Sequence, residues 1–330
     1  MNRCDTVTDL AARIAFMAAV YGVFAIMLPS YRTVSGVAAL LDGAVLIGVV
    51  AVGVGITMLA GELDLSVGSL AAVVGVLTVN MIVAGMNVVP AALIGILAAA
   101  IFGGLQGLVI AVTGINSLAF TIGTLICLRG FALIISNQNS VTIPIPRLGE
   151  TDFLAARILG VLSPMSITMF SIFVLGFLFL NYTVWGREIY AIGGGRAEAR
   201  AAGVSTIKPL VIAFAVSGAL AGLGGALSSV RLGSATPLGF DTLLLSVVTA
   251  CLMGGVALAG GHGSVFGIFI GLLTLRFLVG GAASLGAPYW LQSLAIGALL
   301  ILAIVVQMLI NIMRRHSSDA RARPAGRNRT

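Results

Sequence analysis

Glu62 and Asp64 are the most closely set carboxylates within the apolar stretches of this 330-residue chain, in the segment Leu59 to Gly75, LAGELDLSVGSLAAVVG. Acids placed between membrane-type runs are what an ion-gradient-driven carrier uses to couple transport to a proton or cation. Asp64 also has a structural account. Asp64 or Ser66 is a good N-cap for the apolar run that follows, and a carboxylate there faces the positive end of the helix dipole. Glu62 has no such account. It is either a loop residue at the cytoplasmic surface or a group lining a polar pathway.

Other chemistry is poorly provided for. The single lysine, Lys208, is followed by Pro209. A phosphate-binding P-loop needs lysine followed by Ser or Thr, because the lysine reaches the β/γ-phosphates and the hydroxyl holds magnesium. Nucleotide hydrolysis is therefore not expected of this chain. The histidines, His262 and His316, form no HExxH motif and have no carboxylate cluster beside them, so no metal site and no cofactor is expected. Gly261-His262-Gly263-Ser264 lacks the closing glycine of a nucleophile elbow. A membrane enzyme acting on lipid needs more carboxylates than these. Cys4, Cys127 and Cys251 make neither a disulfide framework nor a CxxC pair.

The elements that hold these residues are membrane helices. Hydrophobic residues make up 59% of the chain and charged residues 9%, with a mean hydropathy of +1.14. A soluble domain of this size carries roughly 25% charged residues to cover its surface. Forty-three glycines allow close helix–helix approach in lipid. Since a span takes about 20 apolar residues, the chain divides into about ten: 11–28, 41–60, 66–84, 90–112, 118–136, 165–182, 210–230, 242–259, 265–281 and 289–312. The fold class is all-α, a polytopic bundle. Residues 1–312 form its transmembrane domain and 313–330 a basic tail.

An even number of spans puts both termini on one side. With a cytoplasmic N-terminus, the inside collects Arg3, Arg13, Arg187, Arg196, Arg200, Lys208 and six tail arginines, and the outside Arg32, Arg147, Arg157 and Arg231. Twelve against four fits the positive-inside rule. Both termini are thus expected in the cytoplasm. The net charge of +7 points to orientation and anionic lipid rather than nucleic acid. Arg129 and Arg276 remain inside spans, where they either snorkel to the outer headgroups or line a pathway.

Two connections are long. The outer one, 137–164, holds three prolines and is a plausible docking surface for a soluble partner. In the inner one, 183–209, Gly193, Gly194 and Gly195 break the chain, RAEARAA (196–202) is a short run of helix formers, and Gly203 suits the position after a helix. A seven-residue helix is marginal in water and needs a surface to pack on. Leu59-Ala60-Gly61 before Ser66-Val67-Gly68 is echoed by Leu258-Ala259-Gly260 before Ser264-Val265, each at a break between spans on the cytoplasmic side. Repeated halves are common in transporters.

GELDLSVGSLAA, residues 61–72, resembles the GGIDLSVGS signature of the ABC-type sugar permeases, the ribose- and xylose-importer branch of the branched-chain amino acid/ribose permease superfamily. Further segments agree in order along the chain. INSLAFTIGTL (115–125) is similar to IPPFIATLGT, and TVWGR (183–187) to T-x-x-G-R. AIGGG (191–195) with EARAAGV (198–204) is similar to AIGGN-x-x-AAR-x-x-GI, and LMGGVALAGGHGS (252–264) to LGGTSLAGGRGS. The likeness covers roughly residues 40–310. Glu62 stands where the family often has glycine, Gly195 where it has asparagine, and His262 where it has arginine.

The resemblance implies an importer subunit of a bacterial inner membrane. Its partners would be a second permease subunit, cytoplasmic ABC ATPases that bind the ATP and magnesium, and an extracytoplasmic sugar-binding protein. The helix around Glu198 to Gly203 is the coupling helix it implies, with Arg187, Gly193, Gly194, Glu198, Ala199, Ala202 and Gly203 as coupling residues. Its motif and pathway candidates are Glu62, Asp64, Ser66, Gly68, Asn116, Thr121, Thr124, Gly254, Gly255, Gly260 and Gly261. Sugar hydroxyls need hydrogen-bonding partners, which also marks Thr57, Asn80, Gln106, Ser217, Ser246 and Thr249, although buried Ser and Thr often bond a backbone carbonyl instead. The alternative is a self-sufficient secondary transporter with Glu62 or Asp64 as the coupling acid.

Overall fold

The computed structural model describes residues 3–154, 156–158 and 160–322, with side chains for 9–154, 156–158, 160–306 and 308. Eight helices among these are long and apolar enough to cross a membrane. They are α1 (Arg3–Met27), α2 (Val34–Leu59), α4 (Val88–Thr113), α5 (Ser117–Ile135), α7 (Pro164–Tyr182), α10 (Ile207–Leu232), α12 (Val265–Ser284) and α13 (Tyr289–Ala322). Two shorter apolar helices, α3 (Val67–Val83) and α11 (Leu243–Met253), fall below the length of a span. Each of the ten expected spans has its helix.

The boundaries differ in instructive places. The span expected at 242–259 is helical only to Met253, because Gly255 takes a φ of +83° and the chain turns there. The inner connection holds two helices, α8 (Val184–Gly194) and α9 (Arg196–Ala201). Gly193 and Gly194 therefore end a helix rather than break the chain; the break comes at Gly195. Hydropathy alone hid α8, whose buried face is only Gly186, Ile189 and Ile192. Gly203, at φ +81°, closes α9 as expected. α13 carries the backbone of the basic tail to Ala322, and Arg323, Arg327 and Arg329 lie outside the described residues. The side chains of Arg3, Cys4, Arg314, Arg315, His316 and Arg321 lie outside them too.

The helices sort by burial. α2, α10 and α12 form the centre with α3 and α11, while α1 and α13 lie outermost. α4 shows both faces of this arrangement. Leu93, Leu97, Ile101, Leu105, Leu108 and Val112 are exposed at intervals of three and four, an apolar lane for lipid tails. The opposite face of α4 packs on α10 through small residues. A Cβ on Gly103 would sit 2.3 Å from the carbonyl of Phe214, and one on Gly218 would sit 2.3 Å from that of Ala99. Lipid tails supply no hydrophobic push between helices, so such close backbone approach holds the pair together.

One end of the bundle carries the residue 137–163 connection. β1 (Val141–Thr142) pairs antiparallel with β2 (Ser234–Ala235), tying this connection to the end of α10. Arg147, in the short helix α6 (Ile145–Leu148), donates to the carbonyls of Ile82 and Met86 at the end of α3 and pairs with Glu150. Asp42 of α2 accepts from Ser163 and Ser166 at 2.5 and 2.7 Å and pairs with Arg157 at 2.8 Å.

The two in-span arginines behave differently. Arg129 reaches Asp241 at 2.9 Å, both side chains about half exposed. Arg276 does not snorkel. It turns onto α2, donating to the carbonyl of Leu40 at 3.3 Å, and Gly43 makes the room, since a Cβ there would fall 1.9 Å from the guanidinium.

Candidate functional site

The break between α2 and α3 is where buried charge collects. Asp64, 1% exposed, accepts four hydrogen bonds from three residues. Its Oδ1 takes Ser66 N at 3.1 Å, Ser66 Oγ at 2.6 Å and Gln106 Nε2 at 3.2 Å, and its Oδ2 takes Ser217 Oγ at 2.8 Å. The aspartate thus joins the break to the middles of α4 and α10. Ser66 holds the expected cap position of α3 but makes no side-chain cap bond; instead Asp64 accepts the Ser66 backbone N at the start of α3, while its other bonds reach neighbouring helices. Burying a carboxylate is costly unless hydrogen bonds replace its lost water, and these four offset part of that cost. Gln106 Oε1 and Thr78 Oγ1 are the buried side-chain acceptors left without a partner among the described residues.

The same break is held from α5. Leu63 N donates to Ser117 Oγ at 3.3 Å, and Thr121 Oγ1 donates to Leu63 O at 3.3 Å. Asn116 caps α5 by accepting from Leu118 N and Ala119 N. Thr124 donates to the carbonyl of Thr121, and Thr57, Ser246 and Thr249 likewise bond carbonyls of their own helices. Asn80 donates to Ile135 O on α5. Of the span polar residues weighed as sugar contacts, Gln106 and Ser217 are the two that converge on Asp64. Gly68 lets α3 pass the backbone of Phe240, which a Cβ there would meet at 3.0 Å.

A second focus lies at the end of the bundle that carries α8 and α9. The two echoed breaks meet here. Gly261 N donates to Leu59 O at 2.9 Å. A Cβ on Gly260 would fall 2.6 Å from Gly61 Cα, one on Gly193 1.8 Å from Leu59 O, and one on Gly261 2.8 Å from Gly194 Cα. Gly61 and Gly260 also take φ of +80° and +84°, which side-chain-bearing residues rarely adopt. Backbones of α2's end, the 254–264 turn and α8's end are therefore in direct contact. Tyr190 of α8 adds a hydrogen bond from its hydroxyl to Gly263 O at 2.9 Å. Burial of that phenol raises its pKa above the ordinary 10.0, so it stays a donor. Gly254 ends α11, where its carbonyl accepts from Arg13 Nη1 at 2.9 Å, and a side chain on Gly255 would collide with that guanidinium.

Glu62 is not a free loop carboxylate. It forms an ion pair with Arg196, the first residue of α9. Arg187, Glu198, Ala202 and Gly203 are exposed, and Ala199 is the buried residue of α9. Three residues central to this geometry, Arg196, Tyr190 and Arg13, were not among the motif or coupling candidates. Their partners lie more than 70 residues away along the chain, and no local pattern signals them.

Residues 36–304 match the family described as "Branched-chain amino acid transport system / permease component". The L-arabinose ABC transporter permease protein AraH of Azospirillum brasilense is 31% identical over 295 residues, covering 89% of this chain and 86% of that protein. The D-allose transport system permease protein AlsC of Escherichia coli K12 is 31% identical over 262 residues, 77% of each. The ribose import permease protein RbsC of Bacillus subtilis is 31% identical over 284 residues, covering 86% and 88%. No solved structure matches this chain.

Proposed function

Since the chain belongs to the family of branched-chain amino acid transport system permease components, we propose that it forms the solute path of an ATP-driven importer for a small monosaccharide. Energy is supplied by separate cytosolic ATPase subunits, and the solute by an extracytoplasmic binding protein. A second permease subunit completes the path. The likeness to permeases named for L-arabinose, D-allose and ribose supports the monosaccharide class.

The observation that carries the coupling part is α9. It has six residues, too few to be stable alone, and five residues between Ala197 and Ala202 are exposed or face outward at the end of the bundle, with Ala199 alone turned inward. Such a helix suits a groove on a partner. The secondary-transporter alternative finds little support at the two acids it needs. Asp64 is enclosed with four donors, and Glu62 is paired with Arg196.

The test is reconstitution. The chain, its ATPase and its binding protein are placed in proteoliposomes and supplied in turn with labelled ribose, L-arabinose and D-allose. ATP-dependent uptake of one of them, absent without the ATPase, is the expected result. Uptake by the lone chain that collapses with an uncoupler overturns the proposal.

A further inference from the structure

Arg196 is in an unfavourable place for its own helix. It is the first residue of α9, where the dipole favours acids and disfavours cations. Glu62 has no helix to cap either, and it is the position at which this chain departs from the glycine of the permease pattern. Each charge is explained by the other. Glu62 is 12% exposed and Arg196 33%, so the pair is shielded from water on the carboxylate side and worth more than a surface ion pair.

We propose that Glu62 and Arg196 form the strut through which movement of α9 enters the membrane bundle, Glu62 acting as a positioning residue for coupling. This rests on the importer reading, in which α9 receives the ATPase. Along the chain α9 is joined to its neighbours by glycines: Gly195, with extended φ of 169°, precedes it, and Gly203, at φ +81°, follows it. Movement routed through these glycines would be absorbed by backbone rotation. The ion pair bypasses them. It joins α9 to the α2–α3 break, and two residues further on Asp64 is bonded to Gln106 of α4 and Ser217 of α10. Those two helices meet backbone to backbone at Gly103 and Gly218. A push on α9 thus reaches the most tightly packed helix pair of the bundle through two charged contacts and one short stretch of chain. Interfaces packed in this way move as bodies rather than deform.

The experiment uses the reconstituted complex with its ATPase and binding protein, with two readouts. The first is sugar carried per ATP hydrolysed, with ribose, L-arabinose and D-allose as probes. The second needs no sugar: the spin-label distance between Arg200 of α9 and Thr113 at the end of α4, both exposed, with and without vanadate trapping. In the wild type this distance holds steady because the two move together. In Glu62→Gln, ATP hydrolysis continues, sugar per ATP falls by about tenfold, the size of one charge-assisted hydrogen bond, and the distance broadens on trapping. Arg196→Glu behaves alike, and the double exchange Glu62→Arg with Arg196→Glu recovers both readouts. The proposal is overturned if Glu62→Gln keeps the wild-type ratio and distance, or if the exchange recovers neither. A general loss of folding in a single variant is separated from uncoupling by that exchange. If the wild-type complex hydrolyses ATP but carries none of the three sugars, the monosaccharide reading falls and the distance decides the strut alone.

Discussion

The backbone nitrogen of Gly261 donates to the carbonyl of Leu59 at 2.9 Å, so the two echoed breaks in this chain are one joint. Their likeness in sequence is matched by contact in space, and the end of α8 is seated on the same joint. Backbone groups left free by an interrupted helix must find partners when they lie away from water. Here they find each other.

The joint tolerates no side chain on its inner side. Gly193→Val should cost about 3 kcal/mol or more, since its Cβ would lie 1.8 Å from Leu59 O and backbone would have to shift. Gly194→Ala is the control. Nothing lies within 4 Å of its Cβ, and alanine gains up to about 1 kcal/mol over glycine in a helix, so this variant should equal or exceed the wild type. Thermal unfolding in detergent ranks the two; equal stability would show that the joint is loose.

Removing the acceptor at Asp64 should hurt more than removing one donor. Asp64→Leu leaves the Ser66 and Ser217 donors buried without their acceptor, each costing about 1–3 kcal/mol, while Gln106 Nε2 keeps only its 3.3 Å bond to Ser66 Oγ. Ser217→Ala removes one donor and leaves three bonds to the carboxylate, a loss of about 1–2 kcal/mol. The same unfolding assay, with yield of monodisperse protein, checks the order. An Asp64→Leu protein as stable as Ser217→Ala would mean the carboxylate is not what holds α4 and α10 to the break.

Tyr190 gives a pH dependence with a definite sign. Its pKa is raised in the folded protein by burial, so its neutral form is favoured there. The stability contributed by the hydroxyl's bond to Gly263 is fully present below the unfolded value of 10.0 and is lost as pH rises through the higher folded value. Tyr190→Phe should therefore lower stability by about 1 kcal/mol, and by the same amount at every pH well below 10. Melting curves of both proteins at neutral and mildly alkaline pH test this. A gap that closes before pH reaches about 9 would mean the phenol ionises early and the bond is not buried.

The helices were legible because lipid imposes a length: runs of about 20 apolar residues announce themselves. α9 was legible too, from RAEARAA closed by Gly203. α8 was not, since its three buried residues on an eleven-residue helix give too weak a pattern, and the helical end of 242–259 was overestimated because glycines read as apolar in a hydropathy count. The site was legible in its ingredients. Asp64, Ser66, Gln106 and Ser217 were each marked as polar in an apolar setting, yet the sequence did not say that they meet. Nor did it say that Arg276 would turn inward onto Gly43 instead of outward to the headgroups.

By itself the sequence determined the solvent of this protein, its long apolar helices and its kinship, because each of these rests on residues close together in the chain: apolar runs, caps, glycines at turns and ordered short motifs. Only the tertiary structure decided which polar groups are paired. Glu62 with Arg196, Asp64 with Ser217 and Tyr190 with Gly263 join residues 134, 153 and 73 positions apart. In a medium that gives buried polar groups no water, each must be satisfied by whichever partner packing brings near, and packing is a property of the whole bundle.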